Sequence, residues 1–363
     1  MKTFLVLANG TVLEGQHFGA TGTRVGEVVF NTGMVGYEET LTDPSYYGQI
    51  ITQSYPLVGN YGINGEDAES DRIWAFGYIV RELCDAPSNF RCKKTLDAYL
   101  KEQGIIGLAG VDTRSLVRLL RESGVMNGAL TTEYETAEEA LEDAELMERI
   151  RNYTVTKAVE SVTCEKPVVH QEDGQYHVAL FDFGSKYNIL RSLVKRDCKV
   201  TVVPATTTAA QLKEMHLDGI MLSNGPGDPA ENVEIIENLK EIAALGLPIF
   251  GICLGHQLMA LAQGATTEKL KYGHRGVNQP VTDLAHGRTY ITSQNHGYAV
   301  VGDSLDASVG EVSHVNANDN TVEGIRYKHM PCFTVQFHPE ACGGPKDTDY
   351  LFDEFVDMMK GER

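Results

Sequence analysis

The second half of the chain alternates short apolar runs with segments of helical spacing. The apolar runs have the length of buried strands and occupy 178–182, 199–203, 219–223 and 248–252. The intervening segments have the spacing of helices packed on one face, at 186–195, 207–215 and around 235–242. Strands that recur with helices between them predict an α/β domain, with a parallel or mixed sheet flanked by helices on both faces.

The first 90 residues have a different pattern, in which brief β-rich runs are interrupted by glycine, proline and asparagine. This punctuation predicts a compact domain of short strands and turns. Two helices are predicted after it, at 94–103 and 113–122, because each ends one or two residues before a glycine. The acidic segment 135–151 predicts one solvated amphipathic helix, whose apolar residues include Leu141 and Leu146.

A polar stretch without a clear period separates these two patterns. It predicts a linker at 156–176, between an amino-terminal β-rich α/β domain at 1–155 and the second α/β domain at 177–363. The length of 363 residues supports two domains, because a single hydrophobic core stops growing at about 250–300 residues.

Charge and cysteine usage narrow the class of protein. A net charge of −19 argues against nucleic acid or an anionic membrane as the main partner, because both require a basic surface. No apolar run reaches membrane-spanning length, and the run at 3–8 is too short for a signal sequence. Seven cysteines without C-x-x-C spacing favour reduced thiols. We therefore expect a soluble cytoplasmic enzyme.

A cysteine between two glycines marks the end of the fourth apolar run. Cys253 stands between Gly251 and Gly255, and a segment of helical composition follows. A sharp strand-to-helix turn of this kind exposes a nucleophile, and the glycines are needed because a Cβ atom there would collide with neighbouring elements. The helix amino terminus would favour the thiolate, and its free N–H groups would receive an oxyanion. A lone cysteine is more often inert core packing, but the two glycines favour the nucleophile.

The segment 337–340 supplies the groups that a cysteine nucleophile requires. His338 is a candidate general base, and Glu340 is a candidate for orienting it. The histidine lies 85 residues after Cys253, so only tertiary folding can unite them. A metal site is a poorer interpretation, because neither a P-C-x-x-C motif nor a second histidine at helical spacing accompanies the pair, and no metal is predicted.

Four motifs together resemble the class I glutamine amidotransferases. In chain order they are N-G-P-G-D-P at 224–229, G-I-C-L-G-H-Q at 251–257, Q-N-H-G at 294–297 and F-H-P-E at 337–340. The resemblance implies a flavodoxin-like sheet and a reaction in which Cys253 attacks the side-chain amide of glutamine. It also implies that His338 acts as base and then as acid for the leaving ammonia, that Glu340 orients it, and that water cleaves a glutamyl thioester.

The first half of the chain resembles one family within this class, the small subunits of glutamine-hydrolysing carbamoyl-phosphate synthase. The matching motifs are N-T-G-M-V-G-Y at 31–37, L-T-D-P-S-Y at 41–46, S-N-F-R at 88–91 and V-D-T-R at 111–114. The resemblance covers essentially the whole chain. It implies a glutamine pocket that comprises Ser45, Gly225, Gly227, Leu254, Gln257, Asn295, Gly297 and Tyr298.

Each pocket position also has a simpler interpretation. Ser45 after a proline is by default a turn residue, and Gly225 and Gly227 by default form a tight loop; the family resemblance favours substrate binding. Two departures from the family pattern occur. Tyr298 replaces a common phenylalanine, and 340–345 reads E-A-C-G-G-P where E-A-S-P-G-P is commoner.

The chain has no phosphate loop or ATP-grasp pattern of its own. The resemblance therefore implies a large partner subunit that uses ATP and Mg²⁺, in a heterodimer or higher oligomer, and no cofactor in this chain. The ammonia would serve carbamoyl phosphate synthesis for the arginine and pyrimidine pathways. Two alternatives stay open from the sequence: an amidotransferase subunit that serves another synthetase, and a catalytically silent regulatory subunit.

Overall fold

The computed structural model describes residues 1–361, and the chain divides into two compact units, Met1–Thr156 and Lys157–Arg363. The first unit is built around a closed barrel and the second around an open sheet. Among the described residues, no helix is both long and apolar enough to cross a membrane.

The first unit contains nine strands. They are β1 Lys2–Leu7, β2 Val12–Gly19, β3 Thr23–Asn31, β4 Gln49–Gln53, β5 Leu57–Val58, β6 Gly77–Ile79, β7 Glu82–Leu83, β8 Ile106–Ala109 and β9 Met126–Thr131. Seven of them close into a barrel in the order β1-β2-β8-β6-β4-β3-β9, and β5 pairs with β7 outside it. The core includes Phe18, Ile51 and Tyr78, all buried. The prediction of a compact β-rich α/β domain is confirmed.

Five α-helices accompany the barrel. They are α1 Tyr37–Thr42, α2 Leu96–Glu102, α3 Thr113–Ser123, α4 Ala137–Glu142 and α5 Ala144–Arg151. The two predicted helices at 94–103 and 113–122 are confirmed as α2 and α3. Each begins at a side-chain cap, because Thr95 and Asp112 accept the N–H of the residue three positions later.

The acidic segment 135–151 is not the single helix that its composition predicts. It forms α4 and α5, because Asp143 adopts an extended backbone and its carboxylate accepts the N–H of Leu146 as the cap of a new helix. Leu146 is buried, whereas Leu141 is exposed and Ala140 is buried in its place. The side-chain cap therefore outweighs the helical periodicity here.

The predicted linker at 156–176 also contains regular structure. Helix α6, Ala158–Val162, buries Val159 in the core of the second unit, and strand β10, Val168–Gln171, pairs antiparallel with a strand of its sheet. The segment belongs almost entirely to the second unit. Val159 holds the helix in the core, whereas Val168 and Val169 are exposed and the strand is held by backbone pairing at the sheet edge.

The second unit contains a ten-stranded mixed sheet. Its remaining strands are β11 Tyr176–Asp182, β12 Cys198–Pro204, β13 Gly219–Leu222, β14 Ile249–Ile252, β15 Thr267–Asp283, β16 Arg288–Val300, β17 Gly310–Asn316, β18 Val322–Tyr327 and β19 Cys332–Val335. The order is β10-β12-β11-β13-β14-β19-β18-β17-β15-β16. The five parallel strands β11 to β14 and β19 have the order 2-1-3-4-5 in chain order, which is that of flavodoxin-like sheets.

Helices cover both faces of the parallel strands, as predicted. They are α7 Tyr187–Val194, α8 Ala209–Lys213, α9 Val233–Ala243, α10 Leu254–Ala262 and α11 Tyr350–Lys360. Helices α8, α9 and α10 bury their apolar residues on one face, and α7 and α11 on the other. The predicted α/β class with a mixed sheet is therefore confirmed.

The long hairpin of β15 and β16 has no counterpart among the predicted elements. The pairing of these strands shifts register between Lys269 and His274 and again between Gly276 and Gln279. Because each irregularity changes which side chains face the core, the hairpin lacks the strict alternation that identifies a strand. It nevertheless lines the region beyond the ends of β14 and β19.

Candidate active site

The candidate nucleophile occupies a strained corner between β14 and α10. Cys253 has φ 52° and ψ −103°, a backbone conformation that residues other than glycine rarely adopt. A Cβ atom on Gly251 would lie 2.8 Å from Thr334 Cγ2, and one on Gly255 would lie 2.5 Å from the Leu222 carbonyl oxygen. The prediction that both glycines are needed to form the turn is confirmed.

The sheet brings the candidate base to the candidate nucleophile. Strands β14 and β19 are parallel neighbours, and the Cys253 N–H donates to the Val335 carbonyl at 2.8 Å. Strand β16 contacts both residues, since the His338 N–H donates to Ser293 at 2.9 Å and Cys253 Sγ lies 3.7 Å from the Asn295 carbonyl oxygen. Two residues 85 positions apart in sequence thus share one sheet edge.

The histidine is held by a buried carboxylate. His338 Nδ1 lies 2.8 Å from Glu340 Oε1, and both side chains are almost fully buried. Among the described residues, His338 Nε2 has no hydrogen-bond partner. The Nδ1–carboxylate hydrogen bond therefore leaves Nε2 as the atom that can exchange a proton with a substrate or a thiol.

Lys186 is a site residue that the sequence analysis missed. Its Nζ lies 2.6 Å from Glu340 Oε1, and both side chains are buried. Burial alone would raise the pKa of Glu340, but Lys186 and His338 outweigh that effect and lower the pKa to about 2. The lysine follows β11 at the same sheet edge as Cys253, which is the one positional signal that the sequence offers.

Replacing this lysine tests the charge arrangement. We expect Lys186→Met to raise the pKa of Glu340, because burial then acts without its nearest counter-charge. Wild-type Glu340 stays ionised down to about pH 2, so the stability that it gains from ionisation is present above pH 4.5 and is lost only as pH falls toward 2. Losing this counter-charge should raise the pKa of Glu340 by about 1–3. In Lys186→Met kcat/KM for glutamine should therefore begin to fall, on its acid limb, at a higher pH than in the wild type, because Glu340 becomes protonated there.

Lys186→Arg is the matched control, since it keeps a cation beside the carboxylate. Its acid limb should stay with the wild type. The measurement is glutamate release over a pH series, after circular dichroism has verified folding at each pH. Identical acid limbs for the wild type and Lys186→Met would contradict the role assigned to the lysine.

The sequence predicts several free N–H groups at the start of α10, but the structure leaves fewer of them available to an oxyanion. In helix α10 the Gly255 N–H donates to the Ser223 carbonyl at 3.0 Å and the Gln257 N–H to the Cys253 carbonyl at 3.2 Å. The Leu254 N–H makes no hydrogen bond within residues 1–361. The N–H directly after the nucleophile is therefore an available donor at this corner.

Two predicted pocket glycines lie in the loop after β13. A Cβ atom on Gly225 would lie 2.1 Å from the Phe183 carbonyl oxygen and 2.7 Å from Leu254 Cδ2, so only glycine fits. Gly227 has φ 88°, which also favours glycine. This loop, like Cys253, lies at the carboxyl end of its strand, where ligands bind in open α/β sheets.

The other predicted pocket residues of this unit lie on β16 and α10. Asn295, Gly297 and Tyr298 follow one another along β16, next to the candidate nucleophile. Gln257 Nε2 donates to the Tyr298 carbonyl at 2.7 Å and to Gln336 Oε1 at 2.8 Å. The Gln257 amide nitrogen therefore links β16 to Gln336. The sequence analysis did not predict this structural role.

Ser45 lies in the first unit, whereas the other predicted site residues lie in the second. It sits in a short 3₁₀ helix, Pro44–Tyr46, where its N–H donates to Asp43 Oδ1 at 2.9 Å. The serine is buried. Its local geometry is that of a capped turn, as its simpler interpretation predicts.

A second histidine lies near the corner but has a different environment. His256 is buried in α10, and its Nδ1 lies 2.8 Å from Thr334 Oγ1. Burial, together with His314, lowers the pKa of His256 to about 3. Among the described residues it has no carboxylate partner, so His338 is the histidine with the environment of a general base.

The 2-1-3-4-5 sheet and the cysteine corner with its histidine and glutamate define a class I glutamine amidotransferase domain. The family profile described as glutamine amidotransferase class-I matches residues 179–358, and the profile described as carbamoyl-phosphate synthase small chain, CPSase domain, matches residues 5–130.

Curated relatives identify the family over the whole chain. The carbamoyl phosphate synthase small chain of Listeria monocytogenes serotype 4b (strain F2365) is 52% identical over 362 residues, covering 99% of this chain and 98% of its own. Those of Bacillus cereus (strain ATCC 10987) and Syntrophotalea carbinolica are 52% and 49% identical, covering 99% and 100% of this chain and 96% and 99% of theirs. The chain belongs to the carbamoyl-phosphate synthase small-chain family.

The protein is therefore a glutamine-hydrolysing small subunit of carbamoyl-phosphate synthase type. The resemblance inferred from the sequence motifs is confirmed, and a subunit serving another synthetase is not favoured.

Proposed function

We propose that Cys253, His338 and Glu340 form the catalytic triad for glutamine hydrolysis. The observation that supports this most directly is the arrangement of His338 between a buried, ionised Glu340 and the sheet edge that holds Cys253. Glu340 fixes the imidazole through Nδ1, and Lys186 keeps that carboxylate charged. The free Nε2 is the proton carrier.

In this mechanism the Cys253 sulfur attacks the side-chain carbonyl carbon of glutamine while His338 takes the thiol proton. The oxygen of the tetrahedral intermediate accepts a hydrogen bond from the Leu254 N–H. His338 then gives its proton to the amide nitrogen, the C–N bond breaks and ammonia leaves a glutamyl thioester. Water, deprotonated by His338, attacks the thioester, and glutamate and the thiol are released.

We propose that the glutamine pocket comprises Gly225, Gly227, Leu254, Gln257, Asn295, Gly297 and Tyr298. Ser45 stays a prediction that rests on the family resemblance. Support comes from the glycine-only backbone at Gly225 and from the proximity of Asn295 to Cys253. Backbone groups and neutral side chains can bracket a zwitterionic amino acid without introducing a competing charge.

We further propose that the ammonia passes to a large ATP-dependent subunit, with which this chain forms a heterodimer or a higher oligomer in the cytoplasm. The names of the relatives imply such a subunit, since they are small chains of a synthase. ATP and Mg²⁺ act on that partner, and this chain requires no cofactor. Copurification with mass spectrometry of the bound chain tests the pairing; recovery of a different synthetase would overturn it.

Labelling by a chloroketone analogue of glutamine tests the nucleophile. We expect one adduct per chain on the peptide that contains Cys253, and we expect glutamine to protect it, because the reagent reaches the thiolate only through the substrate pocket. Peptide mass spectrometry locates the adduct.

Cys342 is the internal control for this labelling. It is exposed and lies near the triad, with Sγ 3.8 Å from the Glu340 carbonyl oxygen. Cys342→Ser should leave the adduct unchanged, whereas Cys253→Ser should remove it. Glutamine-insensitive labelling at Cys342 alone would support the catalytically silent subunit instead.

A further inference from the structure

A second group of buried polar residues lies behind the proposed pocket and takes no part in the glutamine chemistry. His274 on β15 pairs across the hairpin with His296 on β16, and Glu323 on β18 faces both. All three residues are buried, and one ligand-type atom from each lies within 4.8 Å of the others. A group of this kind holds either a metal ion or a proton.

His274 lies between two carboxylates. Its Nε2 lies 2.8 Å from Asp319 Oδ2, and its Nδ1 lies 3.5 Å from Glu323 Oε1. The ring also packs edge-on against His296, with ring centroids 5.0 Å apart. Burial favours a neutral His274, but the two carboxylates outweigh it and raise its pKa. A proton on His274 thus compensates charge in this group without a metal.

Two hydrogen bonds connect this group to the proposed pocket through one carbonyl. His296 Nδ1 lies 2.7 Å from the Tyr298 carbonyl oxygen, which can only accept, so Nδ1 donates. The same carbonyl accepts from Gln257, whose amide also reaches Gln336 Oε1. The Gln336 N–H in turn donates to the Glu323 carbonyl at 2.9 Å. The segment 295–298 is therefore held from two sides: one side ends at the His296 ring, and the other ends at the main chain of Glu323.

We propose that His274 is a positioning residue for glutamine binding: paired with Glu323 and Asp319, it fixes the His296 ring and so the 295–298 segment of the pocket. The inference rests on the proposed pocket. Because His274 and Glu323 make no hydrogen bond or ion pair with Cys253 or His338 among the described residues, they should affect how tightly glutamine is held more than how fast the held molecule reacts.

The test uses His274→Gln, Glu323→Gln and the double variant, each in the reconstituted two-subunit enzyme. We expect each single variant to raise KM for glutamine about 10-fold, since each removes one half of the buried His274–Glu323 ion pair, with kcat within about threefold of wild type. The double variant should resemble the singles rather than multiply their effects, because both act through one interaction. Asp319→Asn, which keeps the shape and removes the charge, should change KM in the same direction.

Ammonia-dependent synthesis separates this inference from the proposed function. It should be unchanged in every variant, and circular dichroism should show a wild-type fold. Wild-type KM in His274→Gln, or equal losses of glutamine- and ammonia-dependent activity, would overturn the inference while leaving the glutaminase assignment intact. Failure of the wild-type enzyme to use glutamine would instead overturn the proposed function. A stoichiometric metal ion in purified wild-type protein, lost in His274→Gln, would also overturn the proton-based interpretation.

Discussion

Replacing Cys253 with serine is expected to abolish glutamine-dependent carbamoyl phosphate synthesis, with a loss on the order of 10⁴-fold or more. A serine hydroxyl at this corner keeps the backbone and the Leu254 N–H donor but is a far weaker nucleophile near neutral pH than a cysteine thiolate. The residual activity would reflect substrate binding and the oxyanion donor alone.

Ammonia-dependent synthesis by the same complex should remain, because free ammonia bypasses the step that Cys253 performs. The measurement is carbamoyl phosphate formation with glutamine and, separately, with ammonium salt as nitrogen donor. Equal loss with both donors would contradict the assignment of Cys253 as the glutaminase nucleophile, since it would mean that the substitution damages the whole complex.

Replacing His338 with asparagine is expected to lower kcat/KM for glutamine by about 10²–10⁴-fold, the usual range for a lost general acid–base group. Asparagine retains a polar atom near Nδ1 but offers nothing at Nε2, so the thiol proton has no acceptor and the leaving nitrogen no donor. Glutamate release in a single-turnover assay measures the effect.

His256→Asn is the matched control for this substitution. His256 is also a buried histidine near Cys253, and asparagine can retain its hydrogen bond to Thr334. We expect less than about a threefold change in kcat/KM, because burial keeps His256 neutral and no carboxylate orients it. If His256→Asn lost as much activity as His338→Asn, the choice of base made here would be wrong.

Periodicity predicted the elements that have a strong local pattern. Four of the five parallel strands, the helices between them and the two capped helices of the first unit were predicted, because apolar spacing and end signals agree there. The prediction of one helix over the acidic segment was wrong, because the Asp143 side chain caps a second helix although the apolar spacing continues. The segment predicted as a linker contains a helix and a strand that its polar composition does not indicate, because burial of Val159 and backbone pairing at the sheet edge order it.

Some residues of the active site and of the His274 group could be identified from the sequence, and others could not. Cys253 could be recognised from its flanking glycines, because they indicate a tight backbone turn within the local sequence. Lys186 could not, because its role is an ion pair with a residue more than 150 positions away, and no local pattern records that pairing. His274 and Glu323 were missed for the same reason, since their strands meet only through hairpin and sheet pairing.

By itself the sequence determined the α/β class of the second domain, the need for glycine on each side of Cys253, and the family through motifs spread along the chain. Only the tertiary structure showed that His338 and Cys253 share one sheet edge, which N–H groups of α10 are already hydrogen-bonded and what keeps Glu340 ionised. The physical reason is range: backbone conformation and periodicity act between near neighbours in sequence. The pKa of a buried carboxylate instead depends on charges that only the folded sheet brings within a few ångströms.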